Sequence, residues 1–270
     1  MKLPVSPQSY DSSPDSLVRA VKRARMLTSR TVAEESQLQG VTVFTNADRP
    51  GVRLGNCAFE AGGDQDSDAS QSLTAMIDHF TGRRVRCQAI DSAATDWSEP
   101  WRDALKAVGY HAQSKYVYQL RNYQPRDRES RGLQIVPGRA VYRDLRPFYE
   151  LMARRAFDAD DRLASDYADA MIDRLDESRL ELFVGRLDGR CVGAAGVITL
   201  GNIGVIDPAY VDPDRRGGGV AAALMAHCLD HCARALFERV LIDRSEGCYS
   251  IPFYQSLGFV EAASFVRFNV

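Results

Sequence analysis

Apolar and polar positions change period several times along the chain. In "RDLRPFYELMARRAF" (143–157) and "DRLASDYADAMIDRLDE" (161–177) apolar residues recur every three to four positions, which predicts two amphipathic helices. A short apolar run, "LQIV" (133–136), precedes them and reads as a strand. From 179 to 211, β-rich runs are separated by Asp188-Gly189 and Gly201-Asn202, the dipeptides of two-residue hairpin turns, so a three-stranded antiparallel meander is expected. An alanine-rich helix over 219–237, a buried strand "RVLID" (239–243), a short helix within "SIPFYQSLGF" (250–259) and a last strand "ASFVRFNV" (263–270) complete the order β-α-α-β-β-β-α-β-α-β.

The first half carries fainter patterning. "GVTVFT" (40–45) and "VRLGNCAFEA" (52–61) are strand-like, "SQSLTAMIDHF" (70–80) is helix-like and "RRVRCQAI" (83–90) strand-like. "LKAVGYHAQSKYVYQL" (105–120) aligns with "YQSLGFVEAASFVRFN" (254–269), matching Gly109-Tyr110 to Gly258-Phe259, which suggests an internal duplication. Between the halves, "NYQPRDRESRG" (122–132) is polar, holds Pro125 and ends in glycine, as a linker does.

Composition narrows the function classes. At 270 residues and 45% hydrophobic content the chain has enough apolar material for two ordinary cores. A net charge of −2 argues against a nucleic-acid binder. No apolar run long enough for a membrane span or a secretory leader is present, so a cytoplasmic protein is expected. Six cysteines form no CxxC pair and are expected to be reduced and mostly buried.

The most informative stretch is "VDPDRRGGGVAAALM" (211–225). Three glycines at the start of a helix, beside Arg215 and Arg216, suit a backbone that closes on an anion, because a helix N-terminus offers unpaired N–H groups and partial positive charge. Gly217-x-Gly219-x-x-Ala222 followed by Asp243 also satisfies a dinucleotide fingerprint. Against it, five residues separate Val211 from Gly217, and too little chain follows Asp243 for further βα units. A Walker loop fails for lack of Gly-Lys-Ser/Thr. On the same helix, His227/His231 and Cys228/Cys232 form i, i+4 pairs; they point about 100° apart and no second ligand cluster accompanies them, so no metal site is expected.

Val211, Pro213, Arg216, Gly219 and Ala221, followed by "FYQSLGF" (253–259), resemble the two signatures of the GCN5-related N-acetyltransferase (GNAT) family. The resemblance covers 133–268. It implies an α/β fold (a mixed α+β sheet) in two tandem GNAT-like domains: a degenerate one over 1–125, a linker over 126–132 and an acetyltransferase domain over 133–270. It further implies acyl transfer from acetyl-CoA, as cosubstrate and without a metal, to an amine acceptor of unidentified kind. Arg216, Gly217, Gly218, Gly219, Val220 and Ala221 would receive the pyrophosphate, amides of Tyr210 or Val211 the pantetheine arm and the thioester carbonyl, and Tyr254 would protonate the leaving thiolate. Pro208 would mark a bulge that splays this strand. Asp207, Glu246 or a water chain are the choices for the base. Asp160 and Asp161 suit either an acceptor pocket or a helix N-terminus. The chain departs from the family at Gly247, where asparagine is common, and Ser250 is expected to cap the short helix instead. In the first half Leu105 stands at the place of Tyr254, and Asp64, Asp66 and Asp68 occupy the place of the glycine loop, so one CoA site is expected. A catalytically silent CoA-binding sensor or scaffold is the alternative.

Overall fold

The computed structural model describes residues 13–62, 68–123, 130 and 132–270. Asp64 and Asp66, and most of the expected linker, lie outside the described residues. Along the chain the elements are α1 (Pro14–Arg30), β1 (Glu34–Leu38), β2 (Val41–Thr45), β3 (Cys57–Ala61), α2 (Ala69–Gly82), β4 (Ala89–Ser92), α3 (Glu99–Ala107) and β5 (His111–Leu120). The second half adds β6 (Gln134–Pro137), α4 (Tyr142–Phe157), α5 (Asp161–Asp173), β7 (Leu180–Leu187), β8 (Arg190–Leu200), β9 (Ile203–Val211), α6 (Val220–Arg234), β10 (Arg239–Ser245), α7 (Ile251–Ser256) and β11 (Phe259–Asn269). The second-half order is the one its periodicity predicts.

Local chemistry explains most of these elements. Asp188 and Gly189, at φ 50° and 77°, turn β7 into β8, the geometry that the twist of a two-residue hairpin favours. Asp160 caps α5 by accepting from the N–H of Leu163 at 2.8 Å. The sequence reading missed α1, although Ser13 caps it, Pro14 opens it, and Leu17, Val18, Val21, Ala24 and Leu27 recur at helical spacing. Each of the larger apolar side chains in that stripe contributes roughly 1.5–3 kcal/mol on burial.

The strands form one mixed, mostly antiparallel sheet in the order β1-β2-β3-β4-β11-β5-β10-β9-β8-β7-β6. Its centre is exchanged between the halves. β5, from the first half, pairs with β10, while β11, from the second, pairs with β4, and the two exchanged strands pair with each other from Leu120/Phe259 to His111/Asn269. The halves thus share a sheet, and a cut at 125 separates β5 from β10 and β11.

Alternation of side chains along the strands separates two faces. On one face α1 packs Leu17, Val21 and Leu27 against Val117, Ile198, Val205, Leu241 and Phe265, spanning strands of both halves. Beside it α4 and α5 cover Leu182, Val184 and Ala194. On the other face α6 and α7 pack against Phe183, Val197, Val240 and Ile242, and α2 and α3 against Val41, Val43, Ile90 and Phe268. No helix among the described residues is long and apolar enough to cross a membrane.

Candidate active site

The site begins where two parallel strands part. β9 and β10 are paired only from Ile203/Arg239 to Val205/Leu241; beyond that β10 runs on beside β5 as far as Ser245. On its other side β9 slips against β8: Ala194 faces Tyr210 and Gly196 faces Asp207, which leaves Pro208 and Ala209 as the bulge that the proline predicts.

Backbone alternation sorts the amides along this edge. Asp212 donates its N–H to Val192 of β8 at 2.9 Å, so the N–H of Tyr210 also points toward β8, and the backbone of Val211 points into the gap. Consistently, the Val211 carbonyl accepts from Arg216 Nε at 3.4 Å. Of the two amides expected to meet a ligand, Val211's is on the open side.

Tyr254 closes the bottom of the gap. Its ring is almost fully buried, edge-on to Phe253 and Phe259 at centroid distances of 5.2 and 6.1 Å. Its hydroxyl accepts from Arg244 Nη2 at 2.8 Å and from the backbone N–H of Ala209. Burial raises its pKa above the ordinary tyrosine value, with Arg244 working in the opposite direction, so the phenol keeps its proton at neutral pH.

The glycine loop lies at the end of β9. Asp212 caps a 3-10 turn over Pro213–Arg215, and Arg155 of α4 ties that turn down through Asp212 at 2.9 Å and Asp214 at 2.8 Å. Gly217 and Gly219 have φ of 81° and 80°, a region that side chains oppose. A Cβ at Gly217 would meet no protein atom within 4 Å, so the backbone at Gly217 faces open space. Arg215, Arg216 and Gly218 are exposed here, and the Arg216 guanidinium lies 5.9 Å over the exposed ring of Tyr249. Val220 begins α6 and is buried in the core, with Ala221 packed against the same cluster.

Other sequence candidates fall elsewhere. Asp207 is in an ion pair with Arg174 at 2.8 Å, and Glu246 accepts from the Tyr116 hydroxyl at 3.5 Å. Asp160 is the cap of α5, and Asp161, in its first turn, pairs with Arg154 at 3.1 Å. Ser250 precedes α7 but makes no side-chain capping bond, contrary to expectation; its hydroxyl lies 3.2 Å from Cys248 Sγ. Cys228 and Cys232 are buried, while His227 and His231 lie 4.5 and 5.5 Å from the Phe183 ring. Among the described residues no group of three metal-ligating side chains occurs.

Beside the gap, on the α1 and α5 face, is a cavity of about 500 Å³. Both halves line it. Arg25, Arg53 and Lys115 come from the first, and Arg174, Asp207, Asp243, Arg244 and Arg267 from the second. The sequence reading missed its charged residues, because they are isolated in sequence and converge only when α1 lies across the exchanged strands.

Comparison with known proteins agrees with this architecture. Residues 139–259 match the model of the acetyltransferase (GNAT) family. A glucosamine 6-phosphate N-acetyltransferase of Trypanosoma brucei brucei is 35% identical over 95 residues, which are 29% of this chain and 57% of that protein. The chain therefore spans little more than half the length of this curated relative. Among solved structures, a GCN5-related N-acetyltransferase from Kribbella flavida superposes with a TM-score of 0.58 at 12% identity, over 93% of this chain and 94% of the other. A tandem GNAT protein from the clavulanic acid biosynthesis pathway gives 0.53 at 16% identity, over 77% and 71%. At these identities the likeness speaks to the fold alone. The match over 139–259, on a mixed sheet of this form, supports the acetyltransferase (GNAT) family, carried by the second half of the chain.

Proposed function

We propose that this protein is an acyl-CoA-dependent N-acyltransferase that uses acetyl-CoA and a single CoA site in its second half. The observation that carries the reading is the coincidence, at one end of β9, of an open strand edge, a left-handed glycine loop and a tyrosine hydroxyl held between Ala209 and Arg244. The loop fits a pyrophosphate: its Gly217 faces open space, it starts a helix, and Arg215 and Arg216 flank it. The N-acetyltransferase activity named for the trypanosomal relative points the same way.

Bound acetyl-CoA would supply an activated acyl group as a thioester. Gly217 to Ala221 would hold the diphosphate by backbone N–H groups. The Val211 N–H, facing the gap, would align the thioester carbonyl and stabilise the charge that forms on its oxygen when an amine attacks. Tyr254 would give its proton to the departing sulfur; the phenolate that results, steadied by Arg244, which already donates to that oxygen, would regain a proton from the acylated nitrogen through water. Asp207, locked to Arg174, serves position rather than proton removal, and Glu246 is absent from the cavity lining. In this reading the first half is a duplicated unit that binds no CoA and completes the acceptor side.

Calorimetric titration of acetyl-CoA into the wild type and Gly219→Glu tests the reading. One site per chain, lost in the variant, is expected. Two sites would refute a silent first half. Binding with no transfer to any amine, and no effect of Tyr254→Phe, would favour a CoA-binding sensor or scaffold.

A further inference from the structure

The cavity beside the gap has an unbalanced charge. Six cations line it, Arg25, Arg53, Lys115, Arg174, Arg244 and Arg267, against two carboxylates, Asp207 and Asp243. Most of the cations are already engaged. Asp243 is shared between Arg25 and Lys115, the latter at 3.1 Å. Asp207 holds Arg174. Asp91, buried behind the lining, accepts from Arg267 Nε at 3.0 Å and lies 3.6 Å from Arg25. Arg244 serves Tyr254.

Arg53 differs from these. It stands on the 3-10 turn Arg53–Gly55 ahead of β3, lines the cavity with an accessible side chain, and faces no carboxylate among the described residues. Burial first, and then repulsion from Arg267 and Arg25, lowers its pKa below the ordinary arginine value. The neighbouring cations are also incompletely bonded. Nη1 of Arg25 and Nε of Arg174 and Arg244 are buried without a hydrogen-bond acceptor. Their positive charge is therefore incompletely compensated, and an anion in the cavity offsets it through space. The rest of the lining, including Val21, Ala24, Phe59, Leu163 and Ile198, is apolar.

We propose that the acceptor is a small amine that also bears a carboxylate or a phosphate, with Arg53 as the direct contact to that anion and Arg25 and Arg267 as the positive field behind it. This rests on the acyltransferase reading above. It gives the first half a task, because Arg25 and Arg53 both come from it: selecting the acceptor by its negative end while the second half carries the acyl donor. A polyamine would meet the same field as repulsion.

The test uses the full chain saturated with CoA, so that the glycine loop is filled, with succinate and inorganic phosphate as probes against sodium chloride of equal ionic strength. A rise in thermal midpoint with one or both anions is expected, with apparent affinity falling roughly ten-fold or more in Arg53→Ala and partly restored in Arg53→Lys. A response to phosphate alone assigns an amino phosphate, and to succinate alone an amino acid. No response to either anion, or equal responses in wild type and Arg53→Ala, overturns the proposal. If CoA itself fails to bind, the acyltransferase reading fails separately, and the comparison with Arg53→Ala still reports on the cavity. In turnover, KM for an acidic amine should rise about ten-fold or more in Arg53→Ala with KM for acetyl-CoA unchanged. Where succinate is the anion that responds, equal turnover of an amino acid and its methyl ester by the wild type would also overturn it.

Discussion

The sheet contains two parallel strand pairs, and they end differently. In the second half β9 leaves β10 after Val205/Leu241 and its edge opens onto Tyr254 and Arg244. In the first half β3 stays with β4 to its last residue, Ala61 against Ser92, despite an irregularity after Ala58. The Ala93 N–H then bonds Ala61 at 3.0 Å, and Lys22 of α1 seals this end through the carbonyls of Ser92 at 2.8 Å and Ala94 at 2.7 Å. Trp101 fills the space beyond, so close to Gly62 that a Cβ there would stand 3.1 Å from its Nε1. Leu105, aligned with Tyr254, is fully buried hydrocarbon. An open strand pair leaves backbone groups unpaired, and the molecule accepts that cost once, beside a half that stays closed.

The largest expected effect comes from removing the plug. Trp101→Ala should destabilise the protein by about 3–5 kcal/mol, measured by chemical denaturation, and leave acetyl-CoA stoichiometry at one, because β3 and β4 remain paired. A second site in this variant would show that the tryptophan alone closes the first half. Next, Gly219→Glu should weaken acetyl-CoA by at least about 100-fold, through both its left-handed φ and the added negative charge. Calorimetry reads this directly, and unchanged affinity would remove the glycine loop from the site. Tyr254→Phe should lower kcat about 10- to 100-fold with acetyl-CoA affinity within about threefold; a change in affinity alone would make the residue a packing aromatic. The smallest effect tests the seal. Burial lowers Lys22 from 10.5 to about 8, so between those values the unfolded chain holds the proton more firmly than the folded one, and stability rises with pH across that window. Wild type should gain about 1–2 kcal/mol over Lys22→Met from pH 7.5 to pH 10, read from denaturation midpoints. A flat difference would mean that Lys22 is hydrated.

The second half was readable because its signals are local. Hairpin dipeptides, a glycine loop with positive φ and helical stripes each act within a few residues, and Pro208 even located the bulge. Where reading failed, the cause was distance. "RRVRCQAI" suggested a strand over 83–90, yet β4 spans Ala89–Ser92, because its pairing is set by β11 rather than by its own alternation. The alignment of 105–120 with 254–269 joined two strands that turn out to be neighbours, but nothing in either segment announces that each serves the other half's sheet. The cavity cations were invisible for the same reason. Arg25 reads as one polar position on a helix, and only its placement against Asp243 and Asp91 gives it meaning.

The exchange of β5 and β11 also sets a timetable. On a ribosome adding about 5–20 residues per second, β5 emerges roughly six to thirty seconds before β10 and β11 exist to receive it. During that interval β4 and β5 both present unpaired edges, the exposure that invites association with other nascent chains. Late, long-range closure of this kind slows folding. The end of β11 brings Arg267 to Asp91 and seals the centre of the sheet, so removing the last few residues of that strand is expected to leave an aggregation-prone chain rather than a weakened enzyme.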